Sequence, residues 1–157
     1  MAQYSAVAEP KYGGEMLRGR LESAKWFPEQ DEETVVIKIQ RGKIFRFVVD
    51  KNGKVDWLPI LIAGNMNFET GKSYTFTIRA RADQNRTISV GITRDEIDWK
   101  NLGFSAKLNL TTDWQTFSFT FSPKISSKKG RFDIGTFKPG VYEFQDSSLK
   151  PVVADTE

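Results

Sequence analysis

The chain contains neither histidine nor cysteine. Imidazole bases, Ser-His-Asp triads, thiolate nucleophiles and the common zinc sites are therefore excluded, and disulfides with them. Chemistry has to come from carboxylates, arginines and aromatic rings. One carboxylate pair has suggestive spacing: Glu96 and Asp98, in Glu96-Ile97-Asp98, would share a face if that segment were a strand. Trp99, Lys100 and Asn101 follow, with no further carboxylate to complete a catalytic set. Arginines keep the same two-residue rhythm at Arg79 and Arg81, and Arg131 precedes Asp133 by two. A guanidinium fork matches the geometry of an anionic oxygen pair. Trp26, Trp57, Trp99 and Trp114 supply four large rings.

These groups must be held by strands. From Gly71 the chain reads GKSYTFTIRARADQNRTISVGI. Tyr74, Phe76, Ile78, Ala80 and Ala82 fall on one face, and Thr75, Thr77, Arg79 and Arg81 on the other. Strict period-two alternation predicts a strand with one buried and one open face. The break at Ala82-Asp83-Gln84-Asn85 then returns the chain through Thr87 to Ile92 as its partner. The same pattern predicts strands over 34–40, 43–50, 54–63, 104–110, 113–121 and 131–135, and in VYEFQ. DSSLK closes the sheet before a polar tail, and PKISSKKG reads as a basic turn. Asn52-Gly53 is a strong hairpin signal, and Pro59 marks an edge or a bulge. About ten short strands without a convincing helix predict an all-β fold, a jelly-roll β-sandwich of two antiparallel sheets. Residues 1–15 read as a lead-in, 16–150 as one sandwich domain and 151–157 as a tail.

Composition agrees with that fold and removes other functions. A chain of 157 residues fits one domain, and a 13% aromatic share suits strands. With 23 basic and 20 acidic residues the net charge is +3. That balance, and the acidic run from Glu29 to Glu33, argue against a nucleic-acid partner. No apolar run is long enough to span a membrane.

The order of pieces is more informative than any one of them. GKSYTFTIRARA, NRTISVGI, LTTDWQTFSFTF, GRFDIG and VYEFQDSSL resemble carbohydrate-binding modules of the family 4, 9, 16 and 22 group. LESAKW resembles that group's opening, which places Glu22 and Trp26 in its terms. The resemblance covers roughly 18–150. It implies a non-catalytic jelly-roll module that docks plant or microbial polysaccharide, such as β-glucan, xylan or a uronate-containing glycan. The partners implied are that polysaccharide and a polysaccharide-degrading catalytic domain in the same parent chain, outside the cell or at its surface. The module is expected to act as a monomer and to require no cofactor. A structural calcium is the one metal implied, held by the early Glu22 and a late Asp. Here Gln145 stands at the late position, with Asp146 one residue away. The group's polar residue three after a Trp is also replaced, since Ile60 follows Trp57.

Within this framework rings cover the C–H faces of sugars and polar groups meet the hydroxyls. Trp99 lies in a polar loop and is the first candidate ring. Trp57 sits in a stretch apolar on both faces, so alternation leaves it open between cleft and core. Trp114 falls on the open face by alternation but resembles a core plug, the reading preferred here; Trp26 is likewise assigned to packing. Arg79, Arg81, Arg131 and Asp133 point outward by phase, and Gln40 and Lys38 are placed with them on one concave surface. Two rivals stand beside this reading. Glu96-Ile97-Asp98 resembles the core of jelly-roll β-glucanases but lacks their second catalytic Glu. A structural β-sandwich of a larger secreted protein would need no ligand.

Overall fold

A computed structural model describes residues 11–17, 27–29, 36–40, 43–51, 59–96 and 98–153, with side chains left undescribed at 27–29, 36–40 and 51. Glu22, Trp26 and Trp57, and the Asn52-Gly53 turn, lie outside the described residues. In chain order the strands are β1 (Lys11–Tyr12), β2 (Phe27–Glu29), β3 (Val36–Gln40), β4 (Phe45–Lys51), β5 (Ile60–Phe68) and β6 (Tyr74–Ala82). They continue as β7 (Arg86–Arg94), β8 (Asn101–Leu110), β9 (Gln115–Phe121), β10 (Ser127–Gly135) and β11 (Gly140–Val153). One sheet has the order β3-β4-β11-β6-β9, with β1 also on β11, and the other the order β2-β5-β10-β7-β8. Every pairing is antiparallel. The architecture is the jelly-roll sandwich expected from the alternating pattern.

Alternation explains the packing strand by strand. Tyr74, Phe76, Ile78, Ala80 and Ala82 of β6 are buried in the core, as are Phe132 and Ile134 of β10. Ile88, Val90 and Ile92 of β7 join them. The two sheets meet through rings. Phe76 stacks on Phe132 at 4.1 Å, and Phe104 on Phe121 at 4.3 Å. Phe47, Phe137 and Tyr142 form an edge-to-face group at one end, with both centroid separations 4.8 Å. Such contacts add to the area term that dominates a sandwich core.

β5, expected over 54–63, runs over Ile60–Phe68 between β2 and β10, with Pro59 just before it, and three further boundaries differ from the sequence expectation. Ser127-Lys128-Lys129-Gly130, read as a basic turn, is the first part of β10, paired with β5 and β7 through a register shift. The polar tail starts later than expected, because β11 continues through Pro151 and Val153. Lys11 and Tyr12, in the lead-in, pair with Val153 and Val152. These segments lack alternation, so only their hydrogen-bond partners make them strands.

The lead-in is tied down a second time. Glu15 accepts hydrogen bonds from Ser148 Oγ at 2.6 Å, Leu149 N at 2.7 Å and Leu17 N at 3.2 Å. The first two meet it beside the β11 bulge, where Asp146 has φ 55°. This bulge carries the late position at which the resemblance implied a calcium ligand. Calcium takes roughly six to eight oxygens. Among the described residues no acidic cluster that could hold a metal gathers there or elsewhere.

The Phe76–Phe132 stack yields a direct test. Phe76→Ala is expected to cost about 3–5 kcal/mol, read as a lower urea midpoint with an unchanged denaturant slope. A loss below about 1 kcal/mol would show that the sheets are not held through this contact.

Candidate functional site

With Phe132 and Ile134 turned inward, their neighbours Arg131, Asp133 and Gly135 must face out from the five-stranded sheet. The same rule turns Ser89, Gly91 and Thr93 of β7 outward, and Ile60 and Ile62 of β5. Register arranges them in rows. Ile62, Asp133, Gly91 and Ser105 lie side by side across β5, β10, β7 and β8. Arg131, Thr93 and Asn101 form the next row, while Gly135 and Ser89 lie opposite each other on the far side. Two central strands thus present glycine where the sheet face would carry a side chain. The result is a trough of about 210 Å³, walled by Ile60, Ser89, Thr93, Asn101, Ser105 and Asp133.

The two glycines are there for different reasons. A Cβ on Gly91 would come within 2.9 Å of the Phe104 carbonyl oxygen, so the close approach of β8 itself requires glycine. A Cβ on Gly135 would meet Ile60 at 3.6 Å, an ordinary contact. Nothing in the packing demands glycine at 135, and its effect is to keep the trough open.

Arg131 and Asp133 are outward by phase yet each only 9% exposed. Arg131 Nε lies 2.9 Å from Asp133 Oδ1. The approach is off-line, and neither atom has a directed hydrogen bond among the described residues. Asp133 Oδ2 accepts from the Thr93 hydroxyl at 2.6 Å. Burial nevertheless pushes the Asp133 carboxyl up to about 6, outweighing both Thr93 and Arg131. The Arg131 guanidinium then lies 4.7 Å from the centroid of the Trp99 ring. Ring, guanidinium, carboxylate and hydroxyl form one continuous wall.

Trp99 is 51% exposed, as the polar loop around it predicts. Its backbone has φ 47°, an unfavourable region for a bulky residue. The loop holds it there. Arg94 forks onto both carboxylate oxygens of Asp98, keeping that carboxyl below its usual range. Arg94 N donates to Lys100 O at 2.8 Å, and Trp99 N to Glu96 O at 2.9 Å. A second outlier, Thr136 with φ 64°, borders the opposite end of the trough, its hydroxyl 2.6 Å from that of Ser89. Strain of this kind persists where the surrounding structure over-determines it, and it gathers at functional sites. Glu96 and Asp98 belong to this loop rather than to a strand. Because neither stands on a strand, they do not share a strand face, and Asp98 is engaged by Arg94.

The remaining candidates fall elsewhere. Arg79 and Arg81 lie on β6, in the other sheet, and so face the opposite side of the sandwich from Arg131, Asp133 and Trp99. Gln40 is on β3 of that same sheet. The single concave surface expected from phase is therefore two surfaces: alternation reports inward or outward but not which sheet a strand joins. Trp114 is also corrected. It is half-buried outside the core, its ring approached by Arg81 at 4.5 Å and Arg79 at 5.4 Å, so alternation rather than the expected plug describes it. Gly91, Gly135, Thr93, Ser89, Asn101 and Ser105 were absent from the sequence candidates. An outward-phase glycine inside a strand was the available signal for the first two.

The profile of the CBM_4_9 family, described as a carbohydrate binding domain, matches residues 20–139. No curated protein matches the sequence. Among solved structures, a CBM4 domain is 25% identical with TM-score 0.72, over 80% of this chain and 86% of its own. The second N-terminal cellulose-binding domain of Cellulomonas fimi β-1,4-glucanase C is 12% identical, with TM-score 0.62 over 84% and 88%. The CBM22-1 xylan-binding domain of Paenibacillus barcinonensis Xyn10C is 9% identical, with TM-score 0.54 over 83% and 87%. These last two share the fold. The family profile spans most of the chain, and the chain belongs to the CBM_4_9 family of carbohydrate binding domains.

Proposed function

We propose that the trough on the five-stranded sheet is the sugar-binding site and that Trp99 is its principal stacking platform. The carrying observation is the conjunction of an open, glycine-floored trough with an exposed ring held at positive φ beside it. A pyranose lying in the trough would place a C–H face against Trp99 and hydroxyls toward Asp133, Thr93, Asn101 and Ser105. Arg131, buried under the ring, fixes the height of the platform more than it reads the ligand. The cellulose-binding and xylan-binding names of two structural neighbours favour a β-linked glucan or xylan. In a longer parent protein, outside the cell, the module would raise the local concentration of an attached polysaccharide-degrading enzyme at its polymer.

Affinity electrophoresis against mixed-linkage glucan, xylan, mannan and xyloglucan, with free oligosaccharide as competitor, tests this reading. Retardation by one polymer and release by its oligosaccharide is expected. A folded protein retarded by none would favour the structural-module reading. Trp99→Ala is expected to weaken binding about five- to thirty-fold, the scale of a truncated aromatic anchor. Its thermal midpoint should be unchanged. Gly135→Leu, which fills the trough from a position with space for a Cβ, should abolish binding while leaving the protein folded. Full affinity in Gly135→Leu would move the site off this face.

Asp133 adds a pH signature. Its folded pKa, about 6, lies above the ordinary 3.8, so the folded state holds this proton more tightly than the unfolded state. Its contribution to stability is complete below the ordinary range and is lost as pH rises through about 6. Relative to Asp133→Asn, the wild type should therefore lose about 3 kcal/mol between acid and neutral pH. A difference between the two proteins that does not vary with pH would show that the carboxyl is not desolvated.

A further inference from the structure

The outer face of the six-stranded sheet carries an array that the trough does not use. Register places Gln40, Arg46, Glu143 and Arg81 in one row across β3, β4, β11 and β6. Gln145, Arg79 and Thr116 occupy the next row, on β11, β6 and β9. Arg81 Nε donates to Glu143 Oε1 at 2.9 Å, and Arg46 stands 3.9 Å from the same carboxylate. Arg79 is exposed and has no ion pair among the described residues. Both Arg79 and Arg81 lie against the Trp114 ring, at 5.4 and 4.5 Å. One acid therefore stands among three arginines, and two guanidiniums are held over one ring.

We propose that this face is a second binding surface, independent of the trough, that takes a carboxylate-bearing polysaccharide such as a polyuronate. Arg79 and the remaining N–H groups of Arg81 clamp uronate carboxylates. Thr116 in the Arg79 row, and Thr77 and Ser118 in the row beside it, hydrogen-bond ring hydroxyls. The chemistry follows from the array. Guanidiniums restrained over a ring lose little freedom on forming paired hydrogen bonds to a planar carboxylate. An unstructured, solvated set of arginines would not need Trp114, a large ring outside the core, beneath two of them. Nucleic acid fits less well. Its bases would need a free ring to stack on, and Trp114 is already approached by two guanidiniums. The chain's net charge of +3 is also small for a phosphate binder.

The test uses the full chain with polygalacturonate, its fully methyl-esterified form and single-stranded DNA, measured by titration at low and at physiological salt. Polygalacturonate should bind, the neutral ester should not, and added salt should weaken the interaction. Arg79→Ala/Arg81→Ala should lose about tenfold or more in affinity, whereas Trp99→Ala and Gly135→Leu retain it. Because Arg81 is paired with Glu143, Arg79→Gln serves as a second variant that leaves that pair intact, and it too should weaken binding. Three outcomes of the polyuronate measurements overturn the proposal. They are unchanged affinity in Arg79→Gln and the double variant, equal binding of the methyl ester, or loss of polygalacturonate binding in Trp99→Ala. DNA bound more tightly than polygalacturonate would also overturn it, making the face a nucleic-acid surface.

Discussion

The stack of Phe76 on Phe132 is the contact from which both outer faces follow. Phe76 belongs to β6 and Phe132 to β10, each an interior strand of its own sheet. Turning Phe132 into the core forces Arg131 and Asp133 outward, and turning Phe76 in forces Thr75 and Thr77 the other way, with Arg79 two further residues on. A slip of one residue in either strand would bury charges and expose rings. The hydrophobic interface therefore decides where every polar group of interest can stand.

On the five-stranded face, rigidity comes from the backbone and the trough from what is missing. Gly91 and Gly135 leave the trough by the absence of side chains, and β-sheet hydrogen bonds keep its floor in place. The wall above it is electrostatic. Arg131 lies between the Asp133 carboxyl and the Trp99 ring, so the ring of the proposed platform is already positioned. The unfavourable backbone of Trp99 is sustained by the Arg94–Asp98 fork and by the Arg131 contact. The opposite face works differently, with arginines ordered over Trp114.

Much of this was legible in the chain. The alternation of β6 and β9 predicted their buried faces, because a strand whose two faces meet different media must alternate. The polar surround of Trp99 marked it as exposed. Residues without alternation carry no such signal. Ser127 to Gly130 looked like a basic turn, and the tail looked free, because their strand character depends on partners far away in sequence. The order of motifs pointed to the carbohydrate binding domain family, yet the plug expected of Trp114 from that resemblance was overridden by the arginines beside it. Glu15 gave no sign of its role, since its hydrogen bonds reach a bulge more than a hundred residues later.

By itself the sequence determined the all-β class, the inward and outward sets of each clear strand, the absence of imidazole and thiol chemistry, and the family. Each of these depends on local pattern or residue identity. Only the tertiary structure decided that Arg131 and Asp133 face away from Arg79 and Arg81, that Thr93 and Asn101 join the former, and that two glycines open a trough. The physical reason is that period-two alternation is a property of one strand. Which sheet a strand enters, and in what register, is settled by long-range hydrogen bonding and core packing.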